Sequence, residues 1–314
     1  MKIAFHSNQL SIRGTEVALF DYAHYNELLL GNESIIISRK PNLSKFSHPL
    51  GEKKFKERFD KIFFYDDFTS VETFLDNEKV DVFYAQKYGI NDGIISKGRK
   101  SVVHAVFQAN DPHGDVYAYI SKWLGDKFNK PYVPYMVDLP LENKNMRKEL
   151  NIPRKATVFG RHGGLNSFDI PFVHDTIRKV LAERKDLYFL FLNTRVFYEH
   201  DRIIYLEGNH NMNDKVKFIN TCDAMLHGRK QGESFGLAIA EFSLRNKPVI
   251  TRINKNIDYA HIDMLGDKAI YYSNPYDLFK ILLNFNPLNT LDWNAYKDYN
   301  PKNVMKKFKE IFLE

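Results

Sequence analysis

Short apolar runs alternate with helical patterns along most of the chain. In the first half the runs predict strands at residues 2–6, 34–38, 61–65, 81–84, 101–107, 117–121 and 132–137. A helix is predicted over 15–30. Gly31 should close it, because glycine enters left-handed backbone without steric cost. The polar, proline-containing stretch 138–143 reads as a linker. A second series follows, with strands predicted at 156–159, 187–192, 203–206, 224–227, 248–251 and 269–272. Its helices include 169–183, which places Val173, Ile177, Val180 and Leu181 on one face, and 275–285. Asn300 and Pro301 open a last amphipathic helix, with Val304, Phe308, Ile311 and Phe312 at helical spacing. Strands alternating with helices imply parallel α/β construction, and two such series imply two domains.

Composition narrows the picture. The 314 residues include 44% hydrophobic residues, enough for a sizeable core. No apolar run reaches transmembrane length, and the N-terminus passes straight into a strand, so no signal peptide is expected. Cys222 is the only cysteine, which excludes an intrachain disulfide and a cysteine metal cluster. It sits where a helix end should enter a strand, the setting of a small buried hydrophobe. A cytoplasmic location is the simplest expectation. The net charge is +6, and residues 39–61 carry eight Lys or Arg against three acidic residues. That segment reads as a solvated loop and short helix, with peripheral contact to an anionic membrane as the alternative. No nucleic-acid motif accompanies it, so nucleic acid is not an expected partner.

Residues 228–250 carry most of the chemistry. Glu233 and Glu241 lie eight residues apart, joined by Ser234, Phe235, Gly236, Leu237 and a helix-forming apolar stretch. A glycine-containing helix entry offers free N–H groups and a positive dipole end, which suit a phosphate. Eight helical residues rise about 12 Å. The two carboxylates could therefore bracket a diphosphate, as in a sugar nucleotide.

The segment resembles the Glu-x7-Glu signature of the retaining GT-B glycosyltransferases of family 4. The resemblance implies two Rossmann-like domains facing across a cleft, with the C-terminal helix crossing back to the first. It implies an N-terminal acceptor domain at 1–140, joined by helix 300–314, and a donor domain at 141–299. It implies that Glu233 contacts the donor sugar and Glu241 the ribose hydroxyls. Residues 234–237 would bind the donor diphosphate, and so would Arg161 in the run Gly160-Arg161-His162-Gly163-Gly164. A lysine usually follows that arginine. Here none does, which makes Arg229 or Lys230 candidates for the second cation. Gly14, in Arg13-Gly14-Thr15, matches the family's glycine turn beside the donor phosphates or acceptor, and Thr15 is a candidate helix cap. His104, near a strand end, matches a family histidine beside the donor sugar.

Residues 207–212 occupy the place of the family's nucleobase loop, and Gln86-Lys87-Tyr88-Gly89 is a candidate acceptor loop. Asp111, His113 and Asp115 make a weak metal set, and family members generally need no metal or other cofactor beyond the nucleotide-sugar substrate. The implied activity is transfer of a sugar from a UDP- or GDP-sugar to a glycan or other hydroxyl acceptor, with retention, by front-face attack. Arg161, Glu233 and His104 are the expected catalytic residues. Two rivals stand beside it: a UDP-N-acetylhexosamine 2-epimerase of the same fold, and a non-catalytic nucleotide-sugar-binding protein. No Gly-x-Gly-x-x-Gly follows the first strand, which argues against dinucleotide oxidoreduction.

Overall fold

The structure is a computed structural model, and it describes residues 1–287 and 291–314. The chain divides into two compact units, Met1–Met136 with Tyr299–Glu314, and Val137–Asp298. Each contains a six-stranded parallel sheet, so the molecule is α/β with two Rossmann-like domains. Among the described residues no helix is long and apolar enough to cross a membrane.

The first unit runs β1 (Lys2–Ser7), α1 (Gly14–Leu30), β2 (Glu33–Arg39), α2 (Pro49–Arg58), β3 (Ile62–Tyr65), α3 (Thr69–Asn77), β4 (Val82–Lys87), β5 (Lys100–Ala105), β6 (Val116–Tyr119) and α4 (Lys122–Phe128). The strand order is β3-β2-β1-β4-β5-β6. The order reverses between β1 and β4, which opens a crevice at their carboxyl ends. The strands are apolar on both faces, as a sheet covered by helices requires: Ile35, Ile37 and Phe83 pack with Val71 and Leu75 of α3. Each such side chain contributes roughly 1.5–3 kcal/mol on burial. Gly31 closes α1 in the left-handed conformation at φ 65°, as its position predicts.

Three expectations shift. Residues 132–137 form no strand. Tyr132 makes a single bridge to Tyr119, and Pro131 and Pro134 remove the N–H groups that a continuing ladder needs. Helix α1 begins at Gly14 with Arg13 at its cap and no side-chain cap bond, so Thr15 does not cap it. Gln86 and Lys87 belong to β4 itself and are buried, leaving Tyr88 and Gly89 as the loop.

The second unit runs β7 (Thr157–His162), α5 (Pro171–Glu183), β8 (Leu187–Leu192), β9 (Ile203–Leu206), α6 (Met212–Thr221), β10 (Ala224–Leu226), β11 (Gly232–Glu233), α7 (Leu237–Leu244), β12 (Val249–Arg252), β13 (Asp258–Tyr259), α8 (Ala260–Leu265), β14 (Ile270–Tyr272) and α9 (Pro275–Asn284). Its main sheet has the order β14-β12-β10-β7-β8-β9, reversing between β7 and β10. Val173, Ile177, Val180 and Leu181 of α5 are buried against Phe189, Phe191, Leu278 and Leu282. Cys222 ends α6 in a buried position, and burial pushes its thiol pKa up. It is a packed hydrophobe, as expected.

The last helix, α10 (Pro301–Phe308), belongs to the first unit. Phe308 stacks on Tyr22 at 5.3 Å and on Phe5 at 6.2 Å between ring centroids. Val304, Met305 and Phe312 are buried with it.

Candidate functional site

The reversal point of the second sheet gathers the predicted residues of the second unit. Strand β7 delivers Arg161 and His162 at its carboxyl end, and His227 follows β10 directly. The chain then passes through Gly228, Arg229, Lys230 and Gln231 into β11, which pairs in parallel with β13 so that Glu233 lies beside Tyr259. This short ladder holds the glutamate in place. Gly232 is required there: φ is 76°, and a Cβ would lie 2.3 Å from the Asp258 carbonyl oxygen. Gly236, at φ 87°, then turns the chain into α7. The first-turn N–H groups of α7 have no helical acceptor by geometry, so the glycine entry leaves them available.

Glu233 is gripped at both oxygens. Arg229 Nη1 donates to Oε2 at 2.7 Å, and His227 Nε2 approaches Oε1 at 3.4 Å. Burial raises the pKa of this carboxyl, but Arg229 and His227 outweigh it and hold the pKa at about 2. Glu233 is therefore an ionised acceptor at neutral pH. Glu241, about one turn into α7, is deeper and only 4% exposed. Lys215 of α6 donates to its Oε1 at 2.9 Å, and His162 Nε2 lies 2.9 Å from its Oε2. Burial again pushes the pKa up, and Lys215 above all brings it down to about 2. His162 is held below the usual histidine range, chiefly by burial, so the lysine carries the compensating charge. Each carboxylate oxygen keeps a second lone pair for a hydroxyl donor.

Because the folded pKa of Glu241 is depressed, its contribution to stability is complete above the unfolded value near 4.5. The contribution disappears as pH falls toward 2, and the linkage amounts to about 3 kcal/mol. The Tm difference between wild type and Glu241→Gln should accordingly be large at pH 7 and shrink toward pH 3. A difference independent of pH would contradict the ion pair.

Arg161 has a different place from the one expected. It is 3% exposed, and its guanidinium is spent on the protein itself. Nη1 donates to Thr194 Oγ1 at 2.5 Å and to the Asn193 carbonyl at 3.3 Å. Nη2 donates to Ser167 Oγ at 2.5 Å and to the Gly164 carbonyl at 3.0 Å. Burial lowers its pKa to about 10, still charged at neutral pH. It ties the loop 163–167 to the end of β8 rather than presenting a free fork to a phosphate. Arg229 is likewise committed, to Glu233 and to Gln231 Oε1 at 3.2 Å. Lys230 is exposed, and no partner for its ammonium exists among the described residues. Of the two candidate second cations, Lys230 is the available one. Phe235 is a core residue whose ring packs on Tyr296 at 5.7 Å, so only its backbone can serve a ligand. Ser234 is 8% exposed.

Gly14 and His104 belong to the first unit. Gly14 is exposed at the start of α1, where the buried carboxylate of Glu16 accepts hydrogen bonds from Ser7, Gln9 and Ser11. His104 corrects an expectation. It is fully buried, with Nδ1 2.6 Å from Tyr84 Oη, Nε2 2.8 Å from the Val133 carbonyl, and its ring 5.1 Å from Phe312. Its pKa falls to about 4 through burial. It is a core histidine sealed by the C-terminal segment.

The same unit has a cavity of about 520 Å³ at its own reversal point. Asn8 and Gln9 after β1, Arg39 at the end of β2 and Asp92 beyond β4 contribute its polar lining. The basic segment is less charged outward than its sequence suggests: Lys40, Lys53, Lys56, Arg58 and Lys61 each pair with a carboxylate. The buried Lys87 ammonium meets His113 at 3.0 Å and pairs with the exposed carboxylate of Asp92.

Sequence reasoning missed His162, Lys215 and His227. One signal was readable. Both strand ends at the reversal point carry a histidine beside a Gly-Arg pair, in Gly160-Arg161-His162 and in His227-Gly228-Arg229.

Comparison with known proteins bears on the fold. No family model matches the chain, and no curated protein matches it. Solved structures do. Anabaena HepE in complex with UDP-glucose is similar at 15% identity and a TM-score of 0.67, over 99% of this chain and 95% of that one. A glycosyltransferase from Rickettsia africae aligns at 12% identity and a TM-score of 0.69, over 99% and 97%. A protein from Listeria monocytogenes proposed to be a UDP-N-acetylglucosamine 2-epimerase aligns at 11% identity and a TM-score of 0.61, over 99% and 96%. The fold is that of the GT-B glycosyltransferases.

Proposed function

We propose that the chain is a glycosyltransferase that takes its sugar from a UDP-sugar bound to the second unit. The observation that carries this reading is the ionised Glu233, gripped by Arg229 and His227 immediately before the N-terminus of α7. A fixed carboxylate suits sugar hydroxyls, and helix N–H groups suit the diphosphate next to it. Glu241 takes the ribose hydroxyls on its remaining lone pairs. UDP is favoured over GDP because similar structures hold UDP-glucose, UDP with glucose, or UDP.

The acceptor binds the first unit, in the polar cavity lined by Asn8, Gln9, Arg39 and Asp92. Transfer proceeds with retention. The acceptor oxygen bonds to the anomeric carbon as the bond from that carbon to the diphosphate oxygen breaks. The acceptor proton passes to the departing phosphate. The first-turn N–H groups of α7 and Lys230 stabilise the leaving charge. Arg161 acts indirectly, by setting the loop 163–167.

Lys230→Ala should weaken UDP and UDP-sugar binding roughly 10–100-fold, the worth of a charge-assisted phosphate contact. Arg229→Ala should instead impair the sugar-dependent part, through Glu233. Calorimetric titration of both variants checks this pair, and unchanged affinity in Lys230→Ala removes it from the diphosphate site.

The activity itself is tested by incubating the chain with UDP-sugars and following UDP release and the anomeric configuration of the product. Retained configuration supports the reading, and inversion overturns its mechanism. The epimerase reading draws on the Listeria likeness. It predicts an epimer when donor is incubated alone, with no acceptor required.

A further inference from the structure

The histidine beside Glu233 is the first member of a buried chain that the transfer mechanism does not use. His227 Nδ1 lies 2.8 Å from Thr251 Oγ1, and that hydroxyl lies 3.3 Å from His261 Nε2. Thr251 and His261 are fully buried, and His227 is 5% exposed. The backbone of His227 is pinned as well: its N–H donates to the Ile250 carbonyl at 2.9 Å, and its carbonyl accepts from Tyr272 Oη at 2.8 Å. The three groups come from the end of β10, from β12 and from α8, so the main sheet and its flank set their spacing.

With a neutral His227 ring the chain of bonds has one consistent direction. An ionised carboxylate accepts and never donates, so the atom facing Glu233 Oε1 must carry a hydrogen. A neutral imidazole has one N–H, so His227 is then protonated at Nε2 and bare at Nδ1. Thr251 must donate its single hydrogen to that bare nitrogen. Its oxygen can then only accept from His261, which places the His261 proton on Nε2. This leaves His261 Nδ1 a bare lone pair, and that buried atom has no hydrogen-bond partner. An orphaned lone pair is the less costly kind of unpaired group.

We infer that Thr251 and His261 fix His227 as its Nε2–H tautomer, so that His227 and Arg229 together aim the Glu233 carboxylate at the donor sugar. This rests on the donor reading above. His227 and Thr251 are positioning residues, since neither needs to touch the sugar. The Glu233 carboxylate requires the Nε2 hydrogen, and the Thr251 hydroxyl supports that tautomer by donating to the bare Nδ1. Without that hydroxyl, the buried Nδ1 loses its partner and the ring its anchor, so the ring exchanges orientations and tautomers and loosens the carboxylate.

The test uses the full chain, ring ¹⁵N spectra of histidine and the transfer assay. Wild type should show His227 with Nε2 protonated and Nδ1 bare. Thr251→Val keeps the shape and removes the hydroxyl. It should give averaged ring shifts for His227 and lower kcat/KM for the UDP-sugar roughly tenfold, with UDP affinity unchanged. Thr251→Ser should restore the wild-type spectrum and rate. His227→Gln, which keeps an N–H toward Glu233, should retain more activity than His227→Leu. A His227 Nδ1–H tautomer in wild type overturns the inference, and so does a Thr251→Val spectrum identical to wild type. If the Nε2–H spectrum is found but no UDP-sugar binds, the bond chain stands and the donor reading fails. If UDP-sugar binds but the tautomer is reversed, the donor reading stands and the inference fails.

Discussion

Glu233→Gln is expected to reduce kcat/KM for sugar transfer about 10²–10³-fold, the usual effect of removing one preorganised electrostatic group. The substitution keeps the shape of the side chain and removes the charge that Arg229 meets at 2.7 Å. Glu233 is partly exposed, and its partners can turn to water, so Tm should move by only a few degrees. Activity and thermal melting measured on one preparation separate these effects. A variant with full activity would place Glu233 outside the chemistry and favour a non-catalytic sugar-nucleotide-binding role.

Arg161→Ala is expected to act mainly on stability. Truncation deprives the Gly164 and Asn193 carbonyls and the Thr194 and Ser167 hydroxyls of their donor in a site where the arginine is 3% exposed. The cost should be on the order of 3–5 kcal/mol, or roughly a 10 °C fall in Tm. Arg161→Lys should recover little, because one ammonium cannot reproduce a fork bonded on both arms. An Arg161→Ala variant with wild-type Tm and a much higher KM would restore the direct diphosphate role that its motif suggests.

Arg161 also shows where sequence reasoning stops. The run from Gly160 to Gly164 marks a strand end and a glycine-rich loop, and the structure has both there. What a guanidinium touches depends on loop closure, and the partners of Arg161 lie up to 33 residues away. His104 fails for a related reason. Its strand is real, but a histidine near a strand end faces a ligand or the core according to pleat and neighbouring cover. Here the cover is Phe312, more than two hundred residues later in the chain.

The strand–helix alternation was legible because most parallel strands are apolar runs and α5, α9 and α10 each have an apolar stripe. The two-residue strands β11 and β13 were not, since neither is long enough to show a period. Lys215 and Thr251 were also invisible. They reach Glu241 and His227 across 26 and 24 residues of sequence, with nothing local to mark them.

The central claim is that the second unit holds a UDP-sugar with its sugar on Glu233. Calorimetric titration of wild type and Glu233→Gln with UDP and with a panel of UDP-sugars tests it most directly. The account predicts that wild type binds UDP and binds at least one UDP-sugar more tightly. It predicts that Glu233→Gln keeps the UDP affinity and loses the sugar-dependent gain. No binding of UDP or any UDP-sugar to wild type would contradict the account, and so would an equal loss of UDP affinity in the variant.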